Sequence, residues 1–117
     1  MRHRKKLLKL GRKRDHRRGL LRNLTNDLIL HGKIQTTGVK AKALRMEIDR
    51  VISVAKQGKN MSTIRKLEKH GIRSVASKKL FDTYMSRYTD RSSGFITTSP
   101  VKFRKGDNAL LVQITLL

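Results

Sequence analysis

Residues 95–117, FITTSPVKFRKGDNALLVQITLL, decide the fold class, because here the apolar period changes to two. Leu110, Val112, Ile114 and Leu116 alternate with Leu111, Gln113, Thr115 and Leu117, so one face is wholly apolar and the other half so. Phe95–Lys102 and Ala109–Leu116 are therefore predicted as strands joined by the turn Arg104-Lys105-Gly106-Asp107-Asn108. Pro100 cannot donate to a ladder, which places its strand at a sheet edge or at a bulge.

Upstream the period is helical. Thr37 is placed to cap a helix running to about Gln57, in which Leu44, Ile48, Val51, Ile52 and Ala55 share a face and Gly58 stops the chain. Arg45 with Asp49, and Glu47 with Arg50, are expected as exposed pairs on its surface. Asp15 is placed to cap an earlier helix, His16–His31, with Leu20, Leu24 and Leu28 as its stripe and Gly32 closing it. A shorter helix over Ser62–Lys69 should turn Met61, Ile64 and Leu67 inward. A fourth, beginning near Ser74, should bury Val75, Leu80, Phe81, Tyr84, Met85 and Tyr88 along one side. Lys33–Thr36 is a short extended segment, and Thr89–Gly94 is a loop by composition. The expected fold class is α+β: about four helices packed on a small three-stranded sheet. An extended basic arm over residues 1–14 precedes a single globular domain over residues 15–117.

Charge limits the function. The chain has 117 residues with 29 Lys and Arg against eight Asp and Glu, a formal net charge of +21, which calls for a polyanionic partner. Residues 1–22 alone hold Arg2, Arg4, Lys5, Lys6, Lys9, Arg12, Lys13, Arg14, Arg17, Arg18 and Arg22 against Asp15. Such a block repels itself and is expected to order on an anion. The apolar face of Leu7, Leu8 and Leu10 is thin for interfacial anchoring, and no run approaches the roughly 18 apolar residues of a membrane span. Neither a membrane partner nor a secretory signal is expected. With three Phe and two Tyr, none among the basic residues, base-stacking platforms are poorly supported. What remains is phosphate and shape recognition of a folded nucleic acid.

Catalysis and metal binding find little support. His3, His16, His31 and His70 are far apart in sequence, no cysteine is available, and no metal or cofactor is expected. The carboxylates are scattered, and no P-loop, dinucleotide fingerprint or nucleophile elbow occurs. His3 and His16 lie within the basic segment and join the phosphate-contact candidates. Thr36 and Thr37, at a helix start with Lys40 and Lys42 in the following turn, could serve as a strand end and cap or also receive a phosphate. Arg104 and Lys105 at the hairpin turn are a further candidate contact, whereas Lys78 and Lys79 are read as solvated surface.

Three blocks, in order, carry a family resemblance. They are Met1-Arg2-His3-Arg4-Lys5 with Leu10-Gly11-Arg12, His16-Arg17 and Arg22-Asn23; Ile34-Gln35-Thr36-Thr37 with Lys40-Ala41-Lys42 and Leu44-Arg45; and Phe103-Arg104 with Gly106-Asp107-Asn108-Ala109. Together they resemble the bacterial large-subunit ribosomal protein seventeen family. Gly19 stands where an alanine is expected, and Gly94-Phe95-Ile96-Thr97 lacks an arginine often found two residues after the aromatic. The resemblance implies a non-enzymatic, structural constituent of the large ribosomal subunit, bound to its ribosomal RNA near the exit-tunnel side. It implies contact with neighbouring ribosomal proteins, among them large-subunit protein thirty-two, with no homo-oligomer. It also implies a bacterial cytoplasmic or an organellar setting. A nucleoid-type DNA-binding protein is the alternative, although no helix-turn-helix with an evident recognition face and no dimer seam is visible.

Overall fold

A computed structural model describes His3 and residues 8–117. The basic candidates Arg2, Arg4, Lys5 and Lys6 lie outside the described residues. The chain runs α1 (Arg14–His31), β1 (Lys33–Thr37), α2 (Gly38–Ala55), α3 (Met61–Lys69) and α4 (Ser74–Lys79), the last continued by a π-helical turn over Leu80–Tyr84. Two strands follow, β2 (Ile96–Phe103) and β3 (Leu110–Leu116). The fold is α+β, as the change of period predicts.

The sheet order is β1-β3-β2, with both pairings antiparallel. The last strand is thus the central one, and its alternation is the clearest because it has a neighbour on each side. Val112, Ile114 and Leu116 are buried, while Leu110 projects past the helices and is 39% exposed. β2 is an edge strand, and its register slips between Pro100 and Lys102. Pro100 therefore occupies an edge and borders a bulge, so its missing donor disturbs no interior ladder.

One face of the sheet packs on the helices through a core of Leu28, Ile29, Leu44, Ile48, Ile52, Leu67, Leu80 and Ile114, all at most 1% exposed. Burying each such aliphatic side chain contributes about 1.5–3 kcal/mol. Tyr88 joins this core through aromatic contacts: it stacks on Tyr84 at 6.1 Å and meets the Phe95 ring at 5.0 Å. Burial foremost, and then the neighbouring Tyr84, push the Tyr88 phenol up to about 12. Among the described residues its buried hydroxyl finds no hydrogen-bond partner. Tyr88→Phe is therefore expected to keep the fold and raise its stability by about 1 kcal/mol, read as a higher denaturant midpoint. A lower midpoint would show that the hydroxyl is satisfied.

Several local expectations are corrected. α1 opens at Arg14, with Lys13 as its N-cap, so Asp15 lies in the first turn, where its charge suits the helix dipole without a capping bond. Thr37 is the N-cap of α2, yet its side chain accepts no capping hydrogen bond. α2 ends at Ala55 and not at Gln57. Met61 and Val75, expected inside, are 64% and 67% exposed, because each opens or nearly opens a short helix whose first turn overhangs the core. Thr63 and Ala76 fill the inward positions instead. Asn60 supplies the true cap of α3, its Oδ1 accepting from the Thr63 N–H at 2.9 Å. The Glu47–Arg50 pair forms at 3.4 Å, whereas Arg45 and Asp49 do not pair. Lys79 is half-buried rather than solvated, its Nζ donating to the Leu30 carbonyl at the end of α1.

Candidate nucleic-acid interface

The basic residues of α1 do not stand alone. Arg14, Arg17, Arg18 and Arg22 line one wall of a groove of about 310 Å³, and Arg50 of α2 with Lys69 and His70 at the end of α3 line the others. Glu47 is the single carboxylate in this lining. Its two oxygens are engaged, Oε2 with Arg50 at 3.4 Å and Oε1 with His70 Nδ1 at 3.1 Å. The groove thus presents Arg and Lys groups from three elements around one occupied carboxylate. Arg suits such a place because its planar fork meets phosphate oxygens two at a time.

The groove depends on one buried polar side chain. Asn26, 1% exposed on α1, donates from Nδ2 to the carbonyls of Arg22 (2.8 Å) and Gly71 (3.0 Å). Its Oδ1 accepts from the Arg73 N–H at 2.9 Å. Asn26 therefore ties the turn that carries Lys69 and His70 to the helix that carries the arginines. Gly71 in that turn has φ +78, the left-handed geometry that favours glycine, and a Cβ there would meet the Arg22 side chain and push it aside.

The end of the arm joins this surface. Lys9–Arg12 form a tight turn, with Arg12 N–H donating to the Lys9 carbonyl at 3.2 Å and the Arg12 side chain returning to the Leu10 carbonyl at 2.8 Å. Leu8 lines a shallow cleft together with Leu21 of α1, Ala43 and Met46 of α2, and Arg17 and Arg50. At the far end of the same α2 face it borders Val39 and Lys42, together with Thr37 and with Ala109 and Leu110 at the hairpin base. Val39, Lys42, Ala43, Met46, Glu47 and Arg50 follow the three-four spacing of one helical stripe. The surface is continuous from the groove to the start of α2.

Of the residues singled out from sequence, Arg14, Arg17, Arg18 and Arg22 converge in the groove, with Lys9, Arg12 and Lys13 leading into it. His16 is exposed on α1 but is not part of the groove lining. Thr36, Thr37, Lys40 and Lys42 sit at the opposite end of α2, with Lys42 exposed and Lys40 half-buried. Arg50, Lys69 and His70 escaped sequence reasoning. In sequence Arg50 reads only as half of an ion pair with Glu47, and nothing local announces that the end of α3 folds back onto α1.

Comparison with known proteins gives the family. The family described as "Ribosomal protein L17" matches residues 20–117. The chain belongs to this ribosomal protein family. A relative in Koribacter versatilis (strain Ellin345), named "Large ribosomal subunit protein bL17", is 42% identical over 117 residues, covering 100% of this chain and 72% of its own length. The protein of that name in Sulfurimonas denitrificans is 41% identical, with both chains covered in full. The one in Desulforudis audaxviator is 37% identical over 93% of this chain and 96% of its own.

Within this ribosomal family fold, the hairpin turn is a self-contained electrostatic unit. Arg104 donates to Asp107 through Nε (2.9 Å) and Nη2 (2.6 Å), and the Ala109 N–H donates to the same carboxylate at 3.2 Å. Arg104 is thereby paired within the turn, while Lys105 is exposed. The hydrogen bond from Arg104, followed by that from Ala109, holds the Asp107 carboxyl down to about 2. A depressed carboxyl contributes its stabilisation in full above the ordinary value of 3.8 and loses it as pH falls through about 2. An NMR titration should place the Asp107 midpoint near 2, and Arg104→Ala should return it toward 3.8. An unchanged midpoint in the variant would remove Arg104 as the cause. Among the described residues no cluster of three His, Cys, Asp or Glu could hold a metal, and no helix is long and apolar enough to cross a membrane.

Proposed function

We propose that this chain is a structural, non-enzymatic constituent of the large ribosomal subunit that binds large-subunit ribosomal RNA through its basic arm and the groove continuous with it. The observation that carries this reading is the convergence of Arg14, Arg17, Arg18, Arg22, Arg50 and Lys69 on one groove, in a chain whose relatives are named large ribosomal subunit proteins. The mechanism is neutralisation: cations from three helices occupy the gap between RNA segments whose phosphates would otherwise repel one another. Thr36, Thr37, Lys40, Lys42 and Lys105 extend the contact along α2 and the hairpin, with Arg104 shaping the turn. The arm residues Arg2, His3, Arg4, Lys5, Lys6, Lys9, Arg12 and Lys13 continue it on the other side, beside His16 at the start of α1. Val39, Phe103 and Leu110, which are 56%, 61% and 39% exposed, give the hairpin end an apolar surface suited to a neighbouring ribosomal protein, for which large-subunit protein thirty-two is the candidate. The setting is a bacterial cytoplasm, in keeping with the bacterial relatives.

The test is a salt titration of binding to large-subunit ribosomal RNA, with competition from duplex DNA. If about six of the basic groups in residues 1–22 meet phosphates, the log–log slope should be near −4 to −5, at about −0.7 to −0.9 per contact. Deleting residues 1–13, which stops short of α1, should flatten that slope. A slope unchanged by the deletion would remove the arm from the interface, and equal binding to duplex DNA would favour the nucleoid-type alternative.

A further inference from the structure

The sheet has a second face that the groove does not use. Antiparallel register sets its side chains in rows: Gln35, Gln113 and Ser99 in one, Lys33, Thr115 and Thr97 in the next. A third row, at the hairpin end, places Thr37 and Leu111 beside Lys102. The opposite face holds Ile34, Val112, Ile114, Leu116 and Ile96 against the helices, so these rows point away from the core. Gln35, Ser99, Thr97, Lys33 and Lys102 are exposed, and Gln113 and Thr115 half so.

The composition of this face is unusual for the molecule. In a chain with 29 Lys and Arg, its first two rows carry two amides and three hydroxyls beside Lys33, and none of the three rows contains a carboxylate. A face made only for solvation needs no such selection; alternating Lys and Glu would serve it and protect the edge strand. Amides and hydroxyls both donate and accept, and they are short enough to allow close approach. The two cations stand at diagonal corners, Lys33 on one edge strand and Lys102 on the other. They are separated by about 13 Å along the strands and about 10 Å across them, at roughly 3.3 Å per residue and 4.8 Å per strand. A platform of neutral donors and acceptors framed by two cations matches the shallow minor groove of A-form RNA. There 2′-hydroxyls and base edges lie on the floor, with phosphates along the rims. Base stacking is not its chemistry, since the rows contain no aromatic residue.

The geometry points to this open sheet face as a second RNA site, distinct from the phosphate groove, that docks in the minor groove of a double-helical RNA segment through the Gln35–Gln113–Ser99 and Lys33–Thr115–Thr97 rows. The inference rests on the ribosomal RNA-binding reading and adds to it the part of the RNA that is touched and the means of telling RNA from DNA. DNA lacks the 2′-hydroxyl that the neutral rows address, so this face separates the two polymers more sharply than phosphate contacts do.

The experiment measures binding of the full chain to an RNA duplex of about 16 base pairs and to the DNA duplex of the same sequence, across a range of salt. The wild type should prefer RNA. Gln35→Ala with Ser99→Ala should lower RNA affinity about tenfold, the effect of losing two or three hydrogen bonds, leave DNA affinity nearly unchanged and keep the salt slope. Thr97→Ala alone should show a smaller loss of the same kind, and thermal unfolding of each variant establishes that the sheet is intact. A preference for RNA retained in folded variants would overturn the inference while leaving the phosphate groove standing. An equal loss on RNA and DNA with a flattened slope would also overturn it, by making the face a phosphate contact. Wild-type binding without salt dependence would overturn the groove reading, and the inference with it.

Discussion

Replacing Arg14, Arg18, Arg50 and Lys69 together by glutamine is expected to weaken binding to large-subunit ribosomal RNA by about three powers of ten at 0.1 M salt. The figure follows from the counterion relation: each lost phosphate contact removes about 0.7–0.9 from the log–log slope, so four remove about three, and the effect grows as salt falls. The four are chosen because they are exposed. Arg50, 68% exposed at its side chain, contributes through its pair with Glu47 at most about 1 kcal/mol to stability. Glutamine keeps the helical propensity of the residues it replaces, so the fold should survive the change. Arg17 and Arg22 are left in place because their side chains also reach backbone carbonyls, of Arg12 and Lys69 respectively. Fluorescence anisotropy against salt concentration measures both affinity and slope. A slope within half a unit of the wild type would show that RNA phosphates do not enter the groove.

The second large effect concerns stability. Asn26→Leu should lower it by about 3 kcal/mol, because leucine fills the volume but leaves the part-buried Arg73 N–H and Gly71 carbonyl without partners, at about 1–3 kcal/mol each. In a domain of this size the melting temperature should fall by roughly 15 °C. Asn26→Asp should fare little better, since a carboxylate cannot donate to the carbonyls of Arg22 and Gly71 that the amide now satisfies. A loss under about 1 kcal/mol for Asn26→Leu would mean that the α3–α4 turn stays docked by packing alone. Thermal unfolding followed by circular dichroism separates these outcomes. The variant also tests whether the groove needs its far wall, since undocking the turn withdraws Lys69 and His70 from Arg22.

These two sites show how far the sequence could be read. The helix and strand order, the edge position of Pro100 and the buried stripe of α2 are local signals of periodicity and turn chemistry, and all of them are legible in one dimension. Asn26 is not: in a helix a buried asparagine looks like any surface asparagine until its partners, 45 and 47 residues away, are known. Met61 and Val75 mislead for the opposite reason. Their hydrophobicity suits a core, but both lie in the first turn of short helices, where the helix axis carries them clear of it. At the interface, the arginines of α1 announce themselves by density, whereas Arg50, Lys69 and His70 join only through tertiary packing. The resemblance supplied the family; it did not indicate which cations share a wall.

The position of β3 has a consequence for how this chain is made. Both other strands pair with it and not with each other. While the nascent chain lengthens, α1 through α4 can form as they emerge, but β1 waits some 70 residues for its partner, and β2 has nothing to align on. The sheet closes in one event when residues 110–116 leave the ribosome that is making them. Until then the inner edges of β1 and β2 are unprotected, and the strong mutual repulsion of a highly cationic chain is what keeps two such nascent copies apart.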